Sequence, residues 1–149
     1  MKQLQKIIPV ALVILVATHS LVQAQTYDST LLVGTWHVDF QATVDLMSDA
    51  QRVQYDSLDA TSQQQMEAQL NGQYFTFTED QRFEASTTST SYPGAWQLET
   101  TGHLVLTYDQ GAAFRQKIEQ LDSQTLVLQV VEDPNSEALF HHLHLTKTN

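Results

Sequence analysis

Cysteine is absent from the 149 residues, and basic residues are scarce. Without thiols the chain can form no disulfide framework, no lipid-anchoring cysteine and no cysteine-ligated metal site, so its stability must come from a packed core. Seven lysines and arginines stand against 17 aspartates and glutamates, a formal net charge of −10 at pH 7. This charge argues against a nucleic-acid partner and against attraction to anionic lipid. Its favoured interpretation is solubility, and recognition of a cationic ligand is the alternative.

The sequence also lacks an apolar run of the about 20 residues that a membrane span needs. Its apolar stretch from Ile7 to Ala17 follows two lysines and precedes Val22-Gln23-Ala24. That pattern is typical of a cleaved secretory signal peptide over residues 1–24. We therefore expect a periplasmic or secreted protein with one domain over residues 25–149 and no stable membrane insertion. An uncleaved segment that anchors the chain in a membrane is the alternative.

Apolar and polar residues then alternate at the period of two that is typical of half-buried strands, separated by turn-like clusters. The pattern predicts eight strands: 31–40, 73–79, 82–90, 95–100, 103–109, 112–120, 124–132 and 137–147. A sheet of eight short antiparallel strands removes its unpaired edges by closing on itself. Because the connections are of hairpin length, we expect an all-β, eight-stranded antiparallel up-and-down β-barrel instead of a Greek-key sandwich.

The segment between Ser48 and Asn71 departs from this pattern, because Gln, Asp, Ala and Met dominate it. Ser48-x-x-Gln51 and Thr61-x-x-Gln64 are capping-box signatures. We therefore predict two short surface helices inserted after the first strand. Residues 25–30 are polar and are expected to be an extended lead-in.

Val33-Gly34-Thr35-Trp36 lies near the start of the first predicted strand. It resembles the Gly-x-Trp signature that opens the first strand of the lipocalins and the related fatty-acid-binding barrels. Residues 75–83, 94–98 and 104–107 resemble the hairpins of small bacterial lipocalin-like domains. The resemblance implies that Trp36 packs at the closed end of the barrel, where Lys147 of the last strand is the candidate to cover it. It also implies that the two helices lie where fatty-acid-binding proteins have a portal lid, but it implies no particular ligand.

The inward-facing aromatic residues are the candidate ligand contacts. The set is Phe75, Phe77, Phe83, Trp96, Tyr108 and Phe114, with Gln116 as a polar handle. An eight-stranded barrel is just wide enough either to fill with its own side chains or to hold one small ligand, so the same residues can be core. The run from Ser86 to Ser91 is interpreted as a solvated strand, with a polar ligand-lining wall as the alternative.

Histidines and acidic residues offer weaker candidates for chemistry. His142 and His144 share one face of the last strand and could share a metal ion with His37 and Asp39. Exposed histidines on the outer face are the favoured interpretation, so we predict no metal and no cofactor.

No nucleophile-elbow, paired-carboxylate or His-Glu-x-x-His motif justifies a catalytic assignment. We predict that the protein is no enzyme but an exported binding module that encloses a small, largely apolar ligand. The alternative is a filled barrel that acts in the cell envelope as an inhibitor or interaction protein.

Overall fold

A computed structural model of the protein describes residues 26–130 and 138–148. Eight antiparallel strands follow one another around a closed barrel, in which the last strand pairs with the first. They are β1 (Gly34–Val38), β2 (Tyr74–Phe77), β3 (Arg82–Ser86), β4 (Ser91–Leu98), β5 (His103–Tyr108), β6 (Ala113–Leu121), β7 (Thr125–Gln129) and β8 (His142–Lys147). The predicted eight-stranded up-and-down barrel is thereby confirmed. The predicted signal peptide, residues 1–24, lies outside the described residues.

Four helices accompany these strands in the described part of the chain. They are α1 (Ser29–Leu32), α2 (Phe40–Asp45), α3 (Asp49–Asp56) and α4 (Ala60–Asn71). Helix α1 takes the last two residues of the predicted extended lead-in and the first two of the predicted first strand, because the Asp28 carboxylate accepts a hydrogen bond from the Thr30 N–H and caps a short helical turn. The insertion after β1 is helical as predicted, but it contains three helices instead of two. No described helix combines the length and the apolar character that crossing a membrane requires.

The first strand is shorter than its alternating pattern predicts. The predicted strand covers residues 31–40, whereas β1 begins at Gly34, after α1, and ends at Val38. The Asp39 carboxylate accepts a hydrogen bond from the Ala42 N–H at 3.0 Å and so starts α2. Phe40 and Val44 are buried on this helix. An apolar residue that continued the strand pattern thus packs as part of a helix.

The two predicted capping boxes have different outcomes. The box of Ser48 and Gln51 is confirmed, with both of its reciprocal hydrogen bonds present at the start of α3. The box that begins at Thr61 is wrong, because α4 starts after Asp59, whose carboxylate accepts from the Ser62 N–H at 2.9 Å. A carboxylate makes a stronger, charge-assisted cap than the nearby hydroxyl can.

The connection between β3 and β4 also differs from the prediction. The Pro93-Gly94 pair predicts a break in the chain over residues 91–94, but all four residues lie inside β4. The turn comes earlier, where the Thr87 N–H donates to the Thr90 carbonyl at 2.8 Å. The interpretation of Ser86–Ser91 as strand is therefore wrong for its central residues. Gly94 permits close packing within the sheet, because a Cβ there would lie 2.3 Å from the Phe83 ring.

The core runs through the inside of the barrel. Seven inward positions of the later strands are buried as the alternation predicts: Leu104, Leu106, Ile118, Leu126, Leu128, Leu143 and Leu145. The last strand is predicted over residues 137–147, and β8 begins only at His142. Residue 137 itself lies outside the described residues.

The closed end of the barrel is built around Trp36. Its ring is fully buried, and its Nε1 donates to the Leu32 carbonyl at 2.7 Å. The Lys147 Nζ lies 5.0 Å from the centre of that ring and donates to the Leu31 carbonyl at 2.8 Å. Gly34 has a φ of +132°, and a Cβ there would lie 2.6 Å from the Lys147 Cε, so the glycine leaves room for the lysine. The expected cover of Trp36 by Lys147 is confirmed.

Candidate ligand-binding site

The end of the barrel opposite Trp36 is the open end. The β3–β4 and β5–β6 turns lie there, and α2, α3 and α4 follow β1 at the same end. Helix α2 closes part of its edge, because the His144 N–H of β8 donates to the Thr43 hydroxyl at 3.0 Å. The Asp39 N–H likewise donates to the His144 carbonyl at 2.9 Å. These bonds continue the β1–β8 pairing beyond the last residue of the strand.

Aromatic rings fill the middle of the barrel. The ring centres of Trp96 and Phe77 lie 6.0 Å apart at 90°, those of Phe77 and Phe83 lie 6.3 Å apart, and those of Phe83 and Tyr108 lie 5.0 Å apart at 78°. These separations are typical of packed aromatic pairs. The Trp96 Nε1 also donates to the Thr78 carbonyl at 3.1 Å. Phe77, Phe83 and Trp96 are almost fully buried and form part of the core.

A half-open cavity of about 180 Å³ lies beyond these rings, toward the open end. Its lining residues come from β2, β3 and β4, from the segments beside them and from the end of β5: Gln73, Tyr74, Phe75, Ala85, Ser86, Thr87, Tyr92 and Tyr108. Phe75 and Tyr108 belong to the predicted set of ligand contacts. Tyr74 and Tyr92 do not, because Tyr74 sits at an outward position of its strand and Tyr92 falls within the wrongly predicted break.

The cavity wall is aromatic and uncharged. None of the described lining residues is acidic or basic. The Tyr92 and Tyr108 rings stand nearly perpendicular, at 82°, with their centres 6.5 Å apart. Burial raises the pKa of the Tyr108 phenol, which therefore stays neutral at physiological pH. Such a wall suits a compact molecule with an apolar surface, and Gln73 and the phenols offer a few hydrogen bonds.

The last two residues of the predicted set lie outside the cavity lining. Phe114 is 53% exposed, and its ring packs at 89° against Tyr108, with the centres 5.7 Å apart. Gln116 is partly buried beside Leu104 in the β5–β6 register. Its Oε1 is buried and has no hydrogen-bond partner among the described residues. The predicted contacts thus divide between the core, the cavity wall and the rim.

The histidines do not converge on one point. The His37 Nε2 lies 2.8 Å from the Asn71 carbonyl oxygen at the end of α4. The His142 Nε2 lies 3.2 Å from the Glu119 carboxylate. His142 and His144 are partly buried, which corrects the interpretation that they are exposed. Within residues 26–130 and 138–148, no three side chains of metal-ligating type come together.

Comparison with known proteins agrees with this architecture. A family model described as a lipocalin-like domain matches residues 32–128, which include Trp36 and every residue of the cavity wall. The chain is also similar to the crystal structure of a DUF4847 family protein from Bacteroides vulgatus ATCC 8482. The identity is 16%, the TM-score is 0.52, and the alignment covers 81% of this chain and 96% of the other. At that identity the likeness shows the fold alone. No curated protein matches.

Proposed function

The chain belongs to the lipocalin-like domain family, and from this premise we propose that it is an exported binding protein for a small, largely apolar molecule. The proposal rests on the half-open cavity of about 180 Å³ at the open end of the barrel. A dry cavity of about 150 Å³ in another protein accepts benzene, so this volume suits a compact ligand better than a long chain. We propose binding without catalysis.

The binding test compares two alanines. Ala85 lines the cavity, whereas Ala113 is exposed at the start of β6. Ala85→Leu adds three carbon atoms to the cavity wall and should weaken binding of a small apolar fluorescent probe at least tenfold. Ala113→Leu should leave the affinity unchanged. Circular dichroism shows whether each variant retains the fold.

Overpacking can destabilise a barrel by about 1–3 kcal/mol. Tyr92→Trp therefore serves as a second cavity-filling variant, because Tyr92 is already 42% exposed. Unchanged probe affinity in both folded variants contradicts the proposed site. Native mass spectrometry of the purified protein then identifies the class of any molecule that co-purifies.

Export is proposed from the amino-terminal pattern of the sequence. Two lysines, the apolar stretch Ile7–Ala17 and the small residues before Gln25 fit a signal peptide. Sequencing the amino terminus of exported protein should therefore find a start near Gln25. Recovery of the full-length chain from the membrane fraction contradicts this part of the proposal.

A filled barrel that acts through its surface, as an inhibitor or interaction protein of the envelope, is the second candidate. A groove of about 210 Å³ between α4 and the segment before β8 favours it. Met66, Leu70, Leu139 and Phe140 give that groove a mainly apolar wall. Failure of the unmodified protein to bind any small apolar probe supports this candidate over the first.

A further inference from the structure

We infer that the cavity at the open end selects a small quaternary ammonium compound, about the size of choline. The inference rests on the proposed binding function and specifies the ligand class of that same cavity. Three aromatic lining residues, Phe75, Tyr92 and Tyr108, lie at inward positions of the barrel. They belong to three different strands, β2, β4 and β5, so they approach the cavity from different directions. The fourth aromatic lining residue, Tyr74, lies at an outward position, and its ring centre is 5.0 Å from that of His37.

The Tyr92 and Tyr108 rings suit two walls of an aromatic cage. A cation within about 6 Å of an aromatic ring is attracted by the negative face of that ring, and cages of such rings recognise quaternary ammonium groups. Tyr92 and Tyr108 stand nearly perpendicular at 82° and provide two walls. Phe83 and Phe114 pack at 78° and 89° against Tyr108 and so fix the orientation of its ring. The Tyr108 wall is therefore held in place before the ligand arrives.

The chemistry of the wall favours a methylated cation over other cations. A primary ammonium group has three N–H donors that need acceptors when it is buried. Among the residues that the structure describes, the cavity wall contains no carboxylate, and its polar groups are those of Gln73, Ser86 and Thr87, the phenols and the backbone. A quaternary ammonium group has no donor to satisfy and presents only methyl groups to the rings.

Overall charge favours a cation over a neutral ligand. The protein carries a formal net charge of −10, and none of the described residues that line the cavity is a lysine or an arginine. A negative field raises the local concentration of cations near the surface and speeds their association. This contribution weakens as salt rises, because ions screen charges beyond about 10 Å at 0.1 M ionic strength.

The decisive experiment compares choline with its neutral carbon isostere, 3,3-dimethylbutan-1-ol. The two have nearly the same shape, so a difference in affinity reports the charge. Isothermal titration calorimetry of the purified protein in low salt should give at least tenfold tighter binding of choline. Equal affinities overturn the inference but leave the proposed function standing. The same holds if an apolar probe binds and choline does not, whereas failure of all three ligands overturns the proposed function as well.

Matched variants at Tyr92 locate the effect. Tyr92→Phe keeps the ring and should preserve the preference for choline. Tyr92→Leu removes an exposed ring and should weaken choline at least fivefold while changing the affinity of the isostere less than twofold. Equal losses for both ligands mean that Tyr92 supplies only apolar contact, and this result contradicts the cage.

Discussion

Trp36 combines burial, a hydrogen bond and a cation above its ring at the closed end of the barrel. Trp36→Ala removes a fully buried aromatic side chain and leaves a cavity, so the free energy of unfolding should fall by about 3–5 kcal/mol. Lys147→Met is the matched control, because it keeps an apolar stem over the ring and loses only the ammonium group. Its cost should be about 1 kcal/mol. Urea denaturation measures the loss of unfolding free energy in both variants. A loss below about 1 kcal/mol for Trp36→Ala contradicts the packing of Trp36 at the closed end.

Gly94, like Trp36, has a role that depends on contacts with residues far away in the sequence. A Cβ at this position would lie 2.3 Å from the Phe83 ring and 2.5 Å from the Thr107 carbonyl oxygen. Gly94→Ala should therefore destabilise the barrel by about 1–3 kcal/mol, because neighbouring strands must move apart. Gly72→Ala, where the nearest atom lies at 3.1 Å, should cost clearly less. Equal shifts of the thermal midpoint in the two variants argue against close strand packing at Gly94.

For single residues, the sequence predicts whether a side chain faces into or out of the barrel, but it does not predict which side chains it contacts. The period of two places Phe77, Phe83 and Trp96 inside, and the structure agrees. Their division into core and cavity wall depends on rings that strand pairing brings together, such as Tyr92 and Tyr108. Tyr92 was missed because Pro93-Gly94 has the composition of a turn.

Among the elements, the helices after β1 differ in how firmly they are attached. Helices α3 and α4 contain no buried residue, whereas Phe40, Thr43 and Val44 of α2 are buried. Deleting Met47 to Leu70 and joining the ends with a short Gly/Ser linker should therefore leave the barrel folded. Release of an apolar probe should become faster, because α4 leads into Gly72 close to Thr88 of the β3–β4 turn.

Phe40→Ala in the full chain is the control for this deletion. It removes a buried ring that packs against Tyr55 and Phe140, at 6.2 Å from each, and should lower the thermal midpoint without removing a helix. If the deletion variant unfolds, α3 and α4 are needed to complete the core of the barrel. If the deletion variant folds and releases the probe at an unchanged rate, the helices do not act as a lid. That result favours a barrel that acts through its surface.

Element type could be predicted wherever several local signals agree, as in β5 to β7 and in α3. The end of β1 could not be predicted from such local signals. Trp36, Val38 and Phe40 continue one alternating pattern, and the pattern does not register the cap at Asp39 that turns the chain into α2. Likewise, Asp59 takes the cap of α4 although Thr61 and Gln64 form a complete capping-box signature. Several neighbouring side chains can cap the same helix, and the local backbone geometry determines which of them does.

For the whole molecule, hairpin-length connections predict the strand order, and avoidance of free edges predicts the closing β1–β8 pair. The volume left inside could not be predicted in this way, because it depends on how side chains from all eight strands share the interior. The same long-range packing determines that Gln116, predicted as a polar handle, lies away from the cavity wall.

Carboxyl groups in the connecting segments make the stability of the molecule depend on pH. Hydrogen bonds from the Gln124 N–H, and then from the Gln120 side chain and the Thr125 N–H, lower the pKa of Asp122. The Ser62 N–H lowers the pKa of Asp59, and the Arg115 guanidinium lowers that of Glu99. These groups bind protons less readily in the folded chain than in the unfolded one. They therefore stabilise the fold above their ordinary pKa of about 4, and that contribution is lost as the pH falls through their lowered pKa values.

The excess of negative charge acts in the opposite direction, because protonation of the acidic residues relieves repulsion in a chain of net charge −10. The thermal midpoint should therefore change little between pH 7 and pH 5 and fall below about pH 4, where the hydrogen-bonded carboxylates become protonated. Asp122→Asn should lower the midpoint at pH 7 and make the acid-induced fall smaller. Glu67→Gln, a change on the exposed side of α4, is the control and should leave the profile unchanged. An Asp122→Asn profile parallel to that of the unmodified protein contradicts a role for these turn carboxylates in acid unfolding.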